Sequence, residues 1–229
     1  MIATMVIEVS LAAYTIWCYK LNNLVRLIIA MLVGLATFQL AEYFVCTGLG
    51  SMAGPWSRVG FVAITALPPL GLHIMHKLAG KPAGRLVQAS YASMAVYMLF
   101  FLFTPAIFTG HKCTGNYVIF QFTANVTGLY TVYYFGWLIA GIGLGFRWAN
   151  RLMAEGTSKL RQLQSVQGLI LGYLVFLIPS AISMVIKPEV RRGIPSVLCG
   201  FAVLLALVLT FYILPRAAEA KQPLVDKMA

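Results

Sequence analysis

The chain has 229 residues, of which 60% are hydrophobic and 10% charged. A soluble domain carries about 25% charged residues, so an ordinary water-soluble globule is excluded, and a mean hydropathy of +0.85 points to lipid as the main solvent. The net charge of +11 does not imply nucleic acid. Basic segments that bind nucleic acid are mostly polar, whereas Lys and Arg of membrane proteins gather beside helix ends on the cytoplasmic side and meet anionic lipid there.

A bilayer core takes about 20 apolar residues per helix, and seven apolar runs follow one another along the sequence. The first, Ile2–Cys18, has no basic leader and no Ala-x-Ala site, so it reads as a retained span rather than a removed signal peptide. Glu8 lies about two turns into it. After Leu21-Asn22-Asn23 comes the second run, Leu24–Cys46, which carries Gln39 and Glu42 near its far end. Gly48–Trp56 is a turn with an interfacial Trp, and Arg58 opens the third run, Val59–His76.

Pro68-Pro69 interrupts that third run, which ends in His73-x-x-His76. Lys77–Arg85 is a basic turn before the fourth run, Val87–Phe108. Residues 109–126 read as a loop holding His111, Cys113, Asn116, Gln121 and Asn125. The fifth run is Thr127–Trp148, and the basic stretch Arg147–Gln164 reads first as its helical extension up to Gly156, with an amphipathic surface helix as the alternative reading of the same residues. The last two runs are Ser165–Ile186, with Pro179 inside, and Ile194–Leu214.

No run alternates with period two, and backbone groups in lipid must pair within their own segment, so helices are expected throughout. The expected fold is therefore all-α: a polytopic seven-helix transmembrane bundle over residues 1–214 with a short cytoplasmic tail at 215–229. Placing the N-terminus outside puts twelve Lys and Arg on the inner side and five on the outer. That asymmetry predicts N-terminus out, C-terminus in.

Glu42 is the sharpest chemical signal. A charged side chain within a span costs at least about 2.5 kcal/mol, so it has a partner, a function, or both. Three readings stand beside one another: a structural ion pair with Arg58, ligand or proton binding, and snorkelling to the interface. Glu8, Gln39, Arg58, Gln121 and Asn125 share its depth and outline either an outer-facing pocket or an ordinary polar vestibule.

His73 and His76 share a helix face, but the carboxylates lie in the opposite half of the membrane. The pair reads as interface histidines bonded to backbone or lipid phosphate, and no metal or cofactor is expected. Cys46 and Cys113 fall on the same outer side and can form a disulfide in an oxidising compartment, whereas Cys18 and Cys199 read as packing thiols. A retinal protein is excluded because the last run has no lysine for a Schiff base. Hydrolase and P-loop signatures are absent as well, so no enzyme is expected.

The run FQLAEYFVCTGLGSMAGPWSRVGFVAITALPPLGLHIMHKLAGKP resembles the seven-helix sensor region at the N-terminus of bacterial membrane histidine kinases and diguanylate cyclases. Glu42 matches its acidic residue late in span two, and Trp56 and Arg58 match the aromatic and basic entry to span three. Pro68-Pro69 matches its internal proline, Gly80-Lys81 the closing step, and Arg161-Gln162 the start of span six. The resemblance covers roughly residues 24–214. It implies reception of a small or lipid-like ligand and relay to a cytoplasmic signalling protein. The fifteen residues after Leu214 carry no kinase or cyclase, so the output would act in trans. The alternative is a small transporter or proton-coupled carrier using Glu42; a metal-dependent membrane enzyme built on His73 and His76 ranks third.

Overall fold

A computed structural model describes residues 1–47, 53–114, 118–156, 159–186 and 194–221. The elements in order are α1 (Ile2–Cys18), α2 (Asn23–Cys46), α3 (Ala53–Thr65), α4 (Leu67–Leu78), α5 (Arg85–Phe103), β1 (Phe108–Cys113), β2 (Val118–Phe122), α6 (Ala124–Ala154), α7 (Leu160–Ile186), α8 (Ile194–Leu207) and α9 (Leu214–Ala217). A π-helical turn, Val208–Ile213, joins α8 to α9.

Six helical stretches are long and apolar enough to cross a membrane: Asn23–Cys46, Gly54–Leu78, Arg85–Phe103, Gly128–Ala154, Leu160–Ser183 and Pro195–Ala217. The first helix is apolar but shorter, at 17 residues. Large apolar side chains cover the outside of the bundle as well as its inside. Val96 and Phe103 of α5, Leu129 and Val132 of α6, and Ile182 and Val185 of α7 are all exposed. Helices that are apolar all round suit lipid rather than water.

The centre of the bundle is α2, packed by α1, α3, α4 and α8. Its N-terminus is set by Asn22, whose side chain accepts from the Val25 N–H at 2.9 Å, satisfying one of the orphan donors of the first turn. Ile28, Leu32, Leu35, Gln39 and Glu42 then follow at alternating spacings of four and three, and all are buried. That repeat is one seam of a helix. The same seam that seats Ile28 and Leu32 in the core therefore delivers Gln39 and Glu42 into it. On α1 the buried seam is Glu8, Leu11, Ala12 and Thr15.

The third run divides where proline demands it. Pro69 has no N–H for the carbonyl of Thr65, and Pro68 none for that of Ile64, so the helix breaks at Ala66. The freed Thr65 carbonyl accepts a 2.7 Å bond from the Tyr133 hydroxyl on α6. Tyr130 adds a 3.0 Å hydroxyl contact to the Thr65 side chain. A neighbouring helix thus repairs the break, as lipid requires.

Between helices, glycine permits close approach where apolar attraction is no help, since lipid is equally apolar. A Cβ on Gly168 would stand 2.6 Å from the Tyr212 ring, and one on Gly172 would stand 2.7 Å from Leu205, so these two glycines of α7 form the seam against the α8–α9 rod. Gly145 of α6 likewise admits Met75 and Ile170. Gly71 of α4 is the tightest, with the Tyr173 hydroxyl occupying the space that a Cβ would need.

Residues 108–122 are not the simple loop that an all-helical reading expects. Phe108–Cys113 and Val118–Phe122 pair as the antiparallel strands of a hairpin, with His111 opposite Phe120 and Cys113 opposite Val118. The segments FTGHKC and VIFQF hold residues that favour a pleated surface. The hairpin turns Val118 and Phe120 inward and leaves Gln121 exposed. Phe120 meets Phe38 and Phe61, the latter edge-on at 5.1 Å between centroids. The fourth helix accordingly stops at Phe103, five residues before its expected end at Phe108. The fifth extends to Ala154 and is closed by Gly156 at φ +82°.

The contact at Gly71 yields a test. Gly71→Ala drives a methyl into the Tyr173 hydroxyl and should cost about 1–3 kcal/mol, as other overpacked cores do. Tyr173→Phe removes the obstructing oxygen and leaves ring Cζ 3.1 Å from the new methyl. The double variant should recover most of the lost melting temperature in detergent; simple additivity of the two losses would contradict the packing described.

Candidate functional site

Glu8 and Glu42 are the most unusual side chains in the bundle, at 0% and 1% exposure, with Gln39 at 2%. Both oxygens of each carboxyl, and the Gln39 amide nitrogen, have no hydrogen-bond partner. The two carboxyls come from α1 and α2 and lie close enough to feel each other's charge. Both fields also reach Cys199 on α8. The α-amino group of Met1 is the cationic group whose field reaches both carboxyls. Three helices therefore converge on one buried, acidic spot near the hairpin end of the bundle.

Ser196, at the start of α8, is the third helix's polar contribution. Its hydroxyl approaches the Glu42 carboxyl without the geometry of a full hydrogen bond. Ser196 Oγ instead accepts the Val118 N–H at 3.0 Å. That bond docks the first residue of β2 beside the carboxyls. On the other side of the hairpin, Cys113 closes a disulfide with Cys46, Cα to Cα 5.8 Å, one helical turn beyond Glu42. The hairpin is therefore held over this end of the bundle at two points, one covalent.

Deeper in the bundle is an apolar cavity between α2, α4, α6, α7 and α8, lined by Leu35, Tyr134, Tyr173 and Leu198, among others. Its volume of about 20 Å³ admits a body the size of a water molecule. Cys199 lines this cavity, whereas Glu8, Gln39, Glu42 and Ser196 do not.

The other residues singled out in the sequence fall elsewhere. Arg58 does not pair with Glu42; its guanidinium donates to the Leu102 carbonyl at 3.3 Å. The two ion pairs among the described residues, Lys20–Glu219 and Lys159–Glu155, leave both buried glutamates out. Gln121 lies on the exposed face of β2, and its carboxamide oxygen lies over Gly110. The Asn125 side chain and Asn116 lie outside the described residues.

His73 and His76 sit on α4 with separate partners. His73 Nδ1 is 3.1 Å from the Tyr91 hydroxyl. His76 Nδ1 donates to the Leu72 carbonyl at 2.9 Å, and its ring stands edge-on to Trp148. No group of three or more potential metal-ligating side chains occurs among the described residues. Ser196 and the cavity escaped the sequence reading. A serine in an apolar helix carries no signal until the fold places it beside a carboxyl.

The fold and the site define a multi-pass helical protein with two buried carboxyls under a disulfide-tethered cap. The chain matches no family model, and neither a characterised protein nor a solved structure was found similar to it.

The disulfide closes a segment with a sequence separation of 67 residues, and losing such a bond costs about 2–5 kcal/mol in small secreted domains. Cys113→Ser should leave the helical bundle intact by circular dichroism, lower the melting temperature, and make the segment 108–122 cleavable by added protease. Unchanged cleavage would show that the Ser196 bond and the Phe120 contacts hold the hairpin alone.

Proposed function

We propose that this chain is a non-enzymatic membrane sensor or ligand-binding module whose ligand binds at Glu42, Glu8, Gln39 and Ser196. The observation that carries the reading is the pair of fully buried carboxyls without partners. Removing a carboxylate from water costs several kcal/mol when nothing replaces its hydration. A chain with no use for such groups would do better with leucine at both positions. Intramembrane ionisable residues mark functional sites for this reason.

In the proposed arrangement all seven helices cross the bilayer. Seventeen residues of α1 give roughly 25 Å at 1.5 Å per residue, short of a bilayer core of about 30 Å, and the flanking residues make up the difference. The N-terminus and the hairpin face outward, and the basic turns around Lys77, Arg85, Arg151 and Lys221 face the cytoplasm and its anionic lipid. The resemblance of residues 24–214 to bacterial sensor regions supports relay from the outer half to a cytoplasmic signalling protein in the inner membrane. A proton-coupled carrier is the second reading, favoured by the break between α3 and α4, since discontinuous helices line the sites of many transporters.

Two measurements bear on this. A tag fused after Ala229 should resist protease added to intact cells, whereas one before Met1 should be removed; the reverse pattern inverts the orientation. A thermal-shift screen in detergent should find a ligand that stabilises the wild type by about 2.7 kcal/mol at a hundredfold excess over its Kd. Glu42→Gln should abolish that gain while keeping the fold. A panel with no Glu42-dependent stabilisation would remove the basis of the proposal.

A further inference from the structure

We infer that the last apolar helix has two registers, and that the π-helical turn Val208–Ile213 is where it switches between them. The register described above is one. A continuous α-helix through the same residues is the other. The inference comes from bond accounting around Thr210 and Pro215.

Thr210 is the anomaly. Thr15, Thr65 and Ser180, also buried in helices, bond the carbonyl four residues back, at 2.7, 2.6 and 2.7 Å. Thr210 is 0% exposed, yet its hydroxyl has no partner. It lies inside the π-helical turn, where bonds join residues five apart rather than four. Its hydroxyl therefore does not meet the Ala206 carbonyl as it would in an α-helix.

Pro215 supplies the reason for the turn. In an α-helix its ring would press on the Phe211 carbonyl, four residues back, and leave that carbonyl without a donor. The widened ladder avoids the clash. The Leu214 N–H bonds the Leu209 carbonyl, five residues back. The next bond of that ladder would run from residue 215 to the Thr210 carbonyl, and proline has no N–H to make it. Each register thus forfeits one ladder bond at Pro215. The π register escapes the clash but strands the Thr210 hydroxyl. The α register satisfies the hydroxyl but accepts the clash. Two packings with opposed costs inside lipid make a two-state element.

The surroundings leave room for the change. Tyr212 and Val208 meet α7 at Gly168 and Gly172, which present no side chain to climb over. Arg216 fastens the present register: its Nη1 donates to the Tyr212 carbonyl at 2.8 Å, and its guanidinium lies 3.8 Å from the Tyr212 ring centre.

Moving the ladder by one residue turns everything after residue 214 by roughly 100° and shifts it by roughly 1.5 Å. The backbone bonds of Lys221 to Cys18 and of Lys20 to Glu219, 2.8 and 3.0 Å in the present register, then break. The switch frees the segment after α9 from the end of α1. No ligand enters this argument, so it stands or falls apart from the reading of Glu42.

The test is amide hydrogen exchange of the full-length protein in detergent, read by mass spectrometry on the peptides that contain Lys20 and Lys221. Pro215→Ala removes the ring clash and favours the α register, so exchange at both sites should quicken by about tenfold or more. Thr210→Val has the same shape without the hydroxyl, and removes what the α register gains. Exchange should then slow by roughly threefold or more. Because Thr210→Val deletes an unpaired buried hydroxyl, it keeps the fold whether or not Pro215→Ala does. Exchange that fails to slow in Thr210→Val, or fails to quicken in a folded Pro215→Ala, overturns the two-register inference.

Discussion

Every backbone polar group inside lipid must find its partner within the protein, and this constraint shapes the whole molecule. It makes the apolar runs into helices, and it dictates what surrounds each departure from helix. Where Pro69 deprives Thr65 of its bond, Tyr133 supplies one. Where the chain leaves α5 and turns back, it pairs with itself as β1 and β2, and Thr123 N–H closes the turn onto the Ile107 carbonyl at 3.2 Å. Where α2 begins, Asn22 caps it. Against so complete an accounting, the unbonded carboxyls of Glu8 and Glu42 stand apart.

Much of the bundle was legible in the sequence because the signal is compositional. A run of 20 apolar residues has few alternatives, and the caps and breakers between runs are local. Asn22, Gly156 and Pro68-Pro69 act within one turn of where they stand, so the ends of α1, α2 and α6 and the break near Ala66 follow from short-range rules. The hairpin was not legible. Its residues pair across a turn and are stabilised by Phe38 and Phe61, which belong to other helices. The helical extension past Trp148, by contrast, was legible up to Gly156, and the burial of Trp148, Ala149 and Leu152 now gives it a packed face.

The candidate site divides along the same line. Glu8, Gln39 and Glu42 could be singled out because polar residues in apolar runs are expensive wherever the run folds. Their convergence reflects the seams of α1 and α2, whose spacings of three and four can be read from the sequence once the helices are granted. Arg58 was the natural partner by depth alone, but it lies within α3 on a side that faces Leu102 of α5. Depth in a membrane is legible; azimuth is not, because it depends on which helices become neighbours. Ser196 and Cys199 enter the site only through the placement of α8 against α1 and α2.

At the end of the bundle away from the hairpin, the first and last helices are stitched together. Lys20 N–H bonds the Glu219 carbonyl at 3.0 Å, and Lys221 N–H bonds that of Cys18 at 2.8 Å. The Lys20 ammonium meets the Glu219 carboxylate, and that of Lys221 meets the Ile16 carbonyl. The outward face of α1 is bare of other helices, with Val6, Val9 and Trp17 exposed. α1 is thus held along its length by the buried Glu8–Thr15 seam and at its foot by these four bonds, so the end of the first helix and the segment after α9 are fixed as one unit.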